Sequence, residues 1–267
     1  MTLLPALVDA HVHTQLIDVA ALSAGGISAV WDLGGELTAV RGFGPVVARY
    51  AGPFLIAPGG YPSDRSWAPA GSWLVVDDPG DAVSGLAAAG VSLIKVTAHA
   101  GGPMLPPATL AALVAAAHSH SLPVVVHAEG PGTVEAALSA GADMLAHTPW
   151  TALLDDGVVR ACADAGMTWI STLAIHGASS LSIAVDNLRR FLSHGGRVRY
   201  GTDLGNGPQP LGVNPRELRA LQSAGLSPAE VLATMTDPDH PGRTVVPGGL
   251  DLSPAGFAGS LATAQIP

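Results

Sequence analysis

Two histidines separated by one residue, His11 and His13, follow the apolar run at residues 3–8. Residues two apart on a β-strand point to the same side, so both imidazoles could reach one ion. Imidazole nitrogen and carboxylate oxygen are ligands of zinc and similar metals, and a catalytic site leaves one coordination position for water. The pair therefore indicates the first part of a catalytic metal site.

Later apolar runs end in further side chains of the same chemistry. These side chains are Lys95, His127, His147 and Asp203. A single HxH pair is weak evidence, but five strand ends that together carry six ligand-type side chains predict a metal centre. The one cysteine, Cys162, excludes a thiolate cage and a disulfide framework and suits a reducing compartment.

Composition favours one compact domain. The 267 residues are 48% hydrophobic and 12% charged, which allows a large core and argues against disorder. The net charge of -9 argues against a nucleic-acid partner, because phosphates require a basic face. The first ten residues lack the basic start of a secretory signal, and no apolar stretch approaches the roughly 20 residues of a membrane span. We therefore expect a cytoplasmic protein without a membrane partner.

Short apolar runs bounded by glycine and proline alternate with segments rich in alanine and leucine. This alternation is typical of βα units around a parallel sheet. The eight predicted strands are residues 7–13, 28–31, 54–57, 93–97, 124–127, 144–146, 168–171 and 198–201. The predicted helices are residues 106–118, 133–140, 155–165, 186–194, 215–224 and 228–235, with Thr133 as the cap of the second.

Eight strands with intervening helices predict an α/β fold, a (β/α)8 TIM barrel whose catalytic site lies at the C-terminal ends of the strands. An open doubly wound sheet is the alternative, but the glycine-rich phosphate turn after the first strand is missing. We assign residues 1–236 to the barrel and expect an irregular tail at residues 237–267, which are rich in proline, glycine and alanine.

His118 and His120 close a helix on the opposite face, so we interpret them as a helix C-terminal pair rather than a second metal site.

The chain resembles the amidohydrolase superfamily, in particular its imidazolonepropionase-like and Xaa-Pro dipeptidase-like branch. The resemblance covers most of the chain. It rests on LPALVDAHVH (4–13), GISAVWDLGG (26–35), IKV (94–96), VHAEG (126–130), AGADMLAH (140–147), GTD (201–203) and AGLSP (224–228). Relatives wrap a small β-sandwich around the barrel, and we expect its N-terminal half to be absent here. We therefore expect the tail or a second subunit, in a homo-oligomer, to cover that flank of the barrel.

The resemblance implies two divalent metal ions, with zinc expected first, bridged by a carbamylated Lys95 and a hydroxide. One ion would bind His11, His13 and Asp203, and the other would bind His127 and His147. In the mechanism of the family, Asp203 takes the proton of the attacking water and delivers it to the leaving nitrogen. A lysine ammonium beside cations is repelled, whereas its CO2 adduct is an anionic ligand. An unmodified Lys95 beside a single metal remains the alternative.

Several side chains have two readings. Glu129 is either the proton carrier, as in relatives with one metal, or a supporting carboxylate. Asp32 either holds a ligand imidazole or has another structural role at the barrel top, or it takes part directly in catalysis. His99 and His176 either touch the substrate or are ordinary loop histidines.

The longest loop, residues 58–72, could fold over the metals. Its Arg65 could clamp a substrate carboxylate, and its Tyr61 and Trp67 could shield the site from water.

These observations predict a metal-dependent hydrolase of an amide or dipeptide-like C–N bond in a small molecule, with Asp203 as general base and acid. A mononuclear deaminase or cyclic-amide hydrolase that uses Glu129 is the alternative enzyme. A barrel that only binds metal or ligand is the alternative outside catalysis.

Overall fold

The computed structural model describes residues 1–37 and 46–267. Its strands are β1 (Thr2–Val12), β2 (Ala29–Asp32), β3 (Val47–Tyr50), β4 (Phe54–Ile56), β5 (Trp73–Val75), β6 (Ile94–His99), β7 (Val124–Glu129), β8 (Met144–Leu145), β9 (Thr168–Ile170), β10 (Arg197–Arg199), β11 (Thr236–Asp237) and β12 (Arg243–Val246). Its α-helices are α1 (Pro79–Ala88), α2 (Pro107–Ser119), α3 (Thr133–Ser139), α4 (Asp156–Asp164), α5 (Ala178–Ser193), α6 (Pro215–Ser223), α7 (Pro228–Met235) and α8 (Phe257–Leu261). Two short 3-10 helices, Thr14–Leu16 and Val19–Gly25, follow β1.

The strands form two sheets. In one sheet β1, β2 and β3 run parallel, and β11 and β12 pair antiparallel with β1. The other sheet is parallel, in the order β10, β9, β8, β7, β6, β4, β5. Helices α1–α5 connect successive strands from β5 to β10, as is typical of parallel sheets whose outer face is covered by helices.

Two seams join the sheets into a TIM-barrel-like ring. At one seam Ala10 N donates to Tyr200 O at 3.0 Å and His13 N donates to Leu204 O at 2.8 Å. At the other, the chain itself passes from β3 of the first sheet into β4 of the second, and Ala51 N, just after β3, donates to Asp32 O of β2 at 3.0 Å. The first seam is therefore closed by a few backbone hydrogen bonds, and the second by the continuity of the chain. The predicted α/β barrel class is confirmed.

The eight predicted strands correspond to β1, β2, β4 and β6–β10, with ends that differ by a few residues. The sequence analysis missed β3 and β5, whose side chains are partly buried or exposed. Arg49 interrupts the apolar run of β3, whereas β5 is a short apolar run directly after the long loop. Helix α5 begins at Ala178 rather than at residue 186, and α1 was not predicted. Thr133 does not cap α3: Gly132 occupies the cap, and Thr133 Oγ1 donates to Gly130 O at 2.8 Å.

The tail is more regular than we expect from its composition. Strand β12 pairs with residues 2–5 of β1, and α8 buries Phe257 and Leu261 against α6. The flanking prolines and glycines hide the short alternation of exposed Arg243 and buried Thr244 that marks β12. The tail therefore covers the edge of the first strand, one of the two arrangements predicted for this flank.

The core has an inner and an outer layer. Small residues such as Ala10, Ala29 and Ala146 fill the barrel interior beneath the strand ends. Trp31 lies among them, and the guanidinium carbons of Arg49 and Arg199 each lie 4.7 Å from its ring centre. Between strands and helices the apolar side chains form one larger cluster. No helix of the described residues is long and apolar enough to cross a membrane.

The stacked pair Trp169 and Phe191 joins β9 to α5, with ring centres 3.9 Å apart and both side chains fully buried. We expect Phe191→Ala to lower the free energy of unfolding by about 3–5 kcal/mol, because it leaves a cavity beneath the indole. Urea denaturation followed by far-UV circular dichroism measures this loss. The control Leu153→Ala, at a side chain that is 62% exposed, should change stability by less than about 0.5 kcal/mol. Equal losses for the two variants would contradict the prediction.

Candidate metal centre

Six predicted ligand residues meet at the C-terminal ends of the strands. They are His11, His13, Lys95, His127, His147 and Asp203, and all line one cavity of about 730 Å³, a volume that includes its open mouth. Each is at most 5% exposed. Parallel strands end at one edge of the barrel, so residues scattered along the chain converge there.

The first group is built on the seam between β1 and the segment after β10. His11 Nε2 lies 3.1 Å from Asp203 Oδ1, and His13 Nε2 lies 3.2 Å from the same oxygen. Two donor atoms on one tetrahedral zinc ion, at about 2.0–2.1 Å each, would be about 3.3 Å apart. The carboxylate and both imidazoles are thus spaced as the ligands of one ion would be.

The second group joins β7 to β8. His127 Nδ1 and His147 Nε2 are 3.1 Å apart. The ring of His147 lies 4.6 Å from that of His11, which brings this group against the first. His11, His147 and Asp203 can each offer one ligand atom within 4.8 Å of the others.

The outward-facing ring nitrogens have hydrogen-bond partners of their own. His11 Nδ1 donates to Ala146 O at 2.7 Å and His13 Nδ1 donates to Gly34 O at 2.9 Å. Because a carbonyl can only accept, each Nδ1 carries the hydrogen, and the neutral ring presents the lone pair of Nε2 to the centre.

The same division holds in the second group. His147 Nδ1 lies 2.9 Å from Thr172 Oγ1, and His127 Nε2 lies 3.1 Å from Glu129 Oε2. Burial lowers the pKa of His11, His127 and His147, which favours their neutral, ligand-competent form. For His13 burial acts in the same direction, but the hydrogen bond to Asp203 and the charge of this carboxylate outweigh it and raise the pKa. The four imidazoles therefore fit a cation at their centre.

Lys95 is the most unusual member of the set. Its side chain is fully buried, and its Nζ has no hydrogen-bond partner among the described residues. Burial lowers the pKa of Lys95 to about 7, so much of the amine is neutral near neutral pH. It is also the only lysine in the sequence, and this composition alone could have marked it as a functional residue. A buried amine without a partner is a costly feature that a ligand or a modification would relieve.

Asp203 is held in a form suited to metal binding. Burial opposes its ionisation, but His11 and His13 outweigh this and hold its pKa well below the usual range. Its φ is +56°, a left-handed conformation that is rare outside glycine. Asn206 Nδ2 donates to its second oxygen, Oδ2, at 2.9 Å. The strained turn and this hydrogen bond aim Oδ1 at the two histidines.

Glu129 lies between two histidines on the cavity wall. Its Oε2 is 3.1 Å from His127 Nε2 and also 3.1 Å from His99 Nδ1, and together these residues form a second group able to hold a cation. Hydrogen bonding to His127 lowers the pKa of Glu129, so the carboxylate stays ionised. This geometry fits the predicted supporting role, because Glu129 fixes which nitrogen of His127 faces the centre. His99 contacts the site through Glu129 and through Tyr61, on whose ring it stacks at 4.9 Å.

The long loop places some predicted substrate residues at the site and others away from it. Tyr61 and Trp67 line the cavity. Arg65 does not: its Nε lies 3.4 Å from Asp64 Oδ1, and its guanidinium carbon lies 5.5 Å from the Tyr61 ring centre. Its side chain is 44% exposed and pairs with Asp64 at the surface. Arg65 therefore does not take the predicted position for binding a substrate carboxylate. His176 stacks at 4.8 Å on Trp150, which lines the cavity in front of it.

Buried carboxylates organise the loops around the site. Asp32 was expected to hold a ligand imidazole or to have another role at the barrel top, and the structure shows the second. It accepts from Thr14 N at 2.8 Å, from Thr14 Oγ1 and from Gly34 N at 3.0 Å. Because Gly34 O in turn accepts from His13, Asp32 positions that ligand through the backbone.

Two further carboxylates were missed. Asp9 accepts from His11 N at 3.1 Å and from Thr202 N at 3.0 Å, which ties the first strand to the segment before Asp203. Glu217, on α6, accepts from the backbone N–H groups of Leu173 and Ala174 at 2.9 and 2.6 Å. Burial raises the pKa of both carboxyls to about 7. In the sequence they are isolated acidic residues with no ligand spacing.

The second HxH pair is separate from the site. His118 Nε2 lies 2.9 Å from Asp143 Oδ2, which also accepts from Val124 N at the opposite end of β7. His120 Nε2 lies 3.3 Å from Ser84 Oγ. These contacts are those of surface residues at a helix end, as predicted.

Solved structures resemble this fold at low sequence identity. A Xaa-Pro dipeptidase matches with a TM-score of 0.74 and 18% identity over 99% of this chain and 84% of its own. An ochratoxinase from A. niger matches at 0.73 and 17%, over 97% and 79% of the two chains. A molinate hydrolase matches at 0.71 and 16%, over 99% and 81%.

A comparison with curated protein sequences gives no match. The model of the amidohydrolase family matches residues 2–237, most of the chain and all of the ligand residues described above. The chain belongs to the amidohydrolase family and is a hydrolytic enzyme that acts on C–N bonds.

Proposed function

We propose that the protein hydrolyses an amide or dipeptide-like bond in a small molecule with two divalent metal ions, in the first instance zinc. His11, His13 and Asp203 would hold one ion, and His127 and His147 the other. Lys95, as its carbamate, would bridge them. The observation that carries the proposal is the set of four imidazoles, each with one nitrogen turned to the centre and the other bonded outward.

A bound metal pair would lower the pKa of water and polarise the scissile carbonyl. The residues of this chain would supply the metal ligands and the group that carries the proton. Lys95 Nζ lines the same cavity and has no hydrogen-bond partner among residues 1–37 and 46–267, so an added carboxylate could offer one oxygen to each ion. The lowered pKa of its amine supports the modification, because CO2 adds only to the neutral form.

Asp203 is the proposed proton carrier. Its Oδ1 faces the two histidines, and Asn206 occupies Oδ2. An ionised carboxylate at this position can accept the proton of the attacking water and then deliver it to the leaving nitrogen. The low pKa keeps Asp203 ionised at neutral pH, so an oxygen is free to accept a proton.

A mononuclear deaminase or cyclic-amide hydrolase is the second candidate, because Glu129 lines the cavity with a side chain that is 32% exposed. In that case Glu129 would carry the proton. A panel of dipeptides, N-acyl amino acids and lactams, assayed with added Zn2+ or Mn2+, tests both. Metal analysis that finds two ions per chain supports the first candidate, and one ion supports the second. No turnover of any compound by the metal-loaded enzyme would overturn both.

The carbamate can be observed directly. We expect protein equilibrated with 13C-labelled bicarbonate and zinc to show one carbamate resonance in its 13C NMR spectrum, since Lys95 is the only lysine. Lys95→Arg should remove the resonance, and metal content should fall below that of the wild type. A resonance that persists in this variant would assign the adduct to the α-amino group instead.

Asp203→Asn should reduce kcat by about 10³-fold, the usual contribution of a positioned acid or base. Metal analysis of the same sample should show that most metal is retained, because the histidines and Lys95 remain. The matched control is Asp164→Asn at the exposed end of α4, which should leave kcat unchanged. A loss of activity only in proportion to lost metal would argue that Asp203 is a ligand and nothing more.

Glu129→Gln separates the two candidates. If Glu129 only fixes the tautomer of His127, the amide oxygen still accepts from Nε2, and we expect kcat to fall less than about tenfold. A proton carrier would instead lose about 10³-fold, because an amide cannot take up the proton. Steady-state kinetics at saturating zinc decide between these outcomes.

A further inference from the structure

Four aromatic side chains, Phe54, Tyr61, Trp67 and Trp150, surround the metal-ligand residues, and we call them the aromatic belt. The Trp67 ring lies 6.0 Å from His13 and 6.1 Å from Tyr61. Tyr61 stacks on His127 at 4.8 Å. On the other side Trp150 lies 5.1 Å from His147. The belt therefore runs from the first ligand group to the second around the cavity.

Three rings of the belt are only partly buried. Tyr61, Trp67 and Trp150 each keep part of their surface open, whereas Phe54 is 2% exposed. Aromatic side chains commonly line the pockets of small-molecule ligands, where their faces give apolar contact area. The open faces border the cavity that contains the metal-ligand residues, so a substrate held for attack would lie against them.

Apart from the metal-ligand residues, the described side chains of the cavity offer no cation to a substrate anion. Lys95 is the only lysine or arginine among the described residues that line it, and that side chain belongs to the ligand set. Arg65 is turned toward Asp64 outside the cavity. Glu129, on the wall beneath Tyr61, adds a negative charge. A free carboxylate on the substrate would meet aromatic faces and this carboxylate instead of a guanidinium.

We propose that the cavity selects small, uncharged amides that carry an aromatic group, and that it discriminates against substrates with a free carboxylate. The aromatic group lies against Trp150 or Trp67, and the scissile carbonyl lies over the histidines. This inference rests on the hydrolase function proposed above, whose substrate class it narrows.

Binding can be read independently of turnover, because Trp67 and Trp150 are two of the five tryptophans and both line the cavity. The probes are N-benzoylphenethylamine and N-benzoylphenylalanine, which contain the same bond and differ only in the carboxylate. Stopped-flow mixing with the zinc-loaded enzyme reports quenching of tryptophan fluorescence before hydrolysis. We expect the neutral compound to bind at least about tenfold more tightly.

Variants assign the signal to the belt. Trp150→Ala and Trp67→Ala should each weaken binding of the neutral compound by roughly threefold to tenfold, as expected for loss of an aromatic contact. If either variant fails to fold, Trp150→Phe and Trp67→Phe keep a ring and remove the fluorophore. Calorimetry then measures their affinity. Trp73→Phe, on β5 and outside the cavity lining, is the matched control and should leave binding unchanged.

The outcomes separate this inference from the proposed function. Preferred binding of the neutral compound without turnover of either would support the cavity preference and count against the hydrolase proposal. Turnover with equal or tighter binding of the carboxylate compound would overturn the preference and leave the hydrolase proposal standing. Affinity that is unchanged in both alanine variants, or fluorescence quenching that is unchanged in both phenylalanine variants, would also overturn it.

Discussion

The seam between the first strand and the segment after β10 is the contact on which the molecule depends. There Ala10 and His13 donate backbone hydrogen bonds to Tyr200 and Leu204, and Asp9 accepts from Thr202. The same few residues bring Asp203 Oδ1 to the two histidines of β1. Closing the barrel and assembling the metal ligands are therefore one event. A chain that failed to close would also separate the carboxylate from its imidazoles.

This arrangement has an energetic cost that explains the surrounding structure. Four imidazoles, an amine and a carboxylate are nearly fully buried in one place, where unpaired polar groups are unfavourable. The outward hydrogen bonds to Ala146, Gly34, Thr172 and Glu129 use one nitrogen of each ring. The inward nitrogens lie against Asp203 Oδ1 or against one another. These inward atoms are the ones that a bound cation would take as ligands.

The sequence predicted the residues whose positions follow from strand geometry and missed the residues that support them through longer-range contacts. The six ligand residues were predicted because each stands at the end of an apolar run, and parallel strands end at a common edge. Asp9, Thr172 and Glu217 were missed because they act on backbone groups or ring nitrogens far along the chain, and no local spacing marks such partners. Arg65 shows the limit for loops, where the direction of a side chain depends on contacts that periodicity does not encode.

Lys95 has a consequence beyond its place among the ligands. Every other basic side chain in this sequence is an arginine or a histidine, so the exterior carries no aliphatic amine apart from the chain terminus. Guanidinium groups stay protonated and are poor nucleophiles at neutral pH. Aldehydes, activated esters and similar electrophiles would therefore find their one side-chain amine at the floor of the cavity. A ligand in the mouth of the cavity would shield the Lys95 amine from these reagents. The extent of acylation of Lys95 would therefore show whether the cavity is occupied.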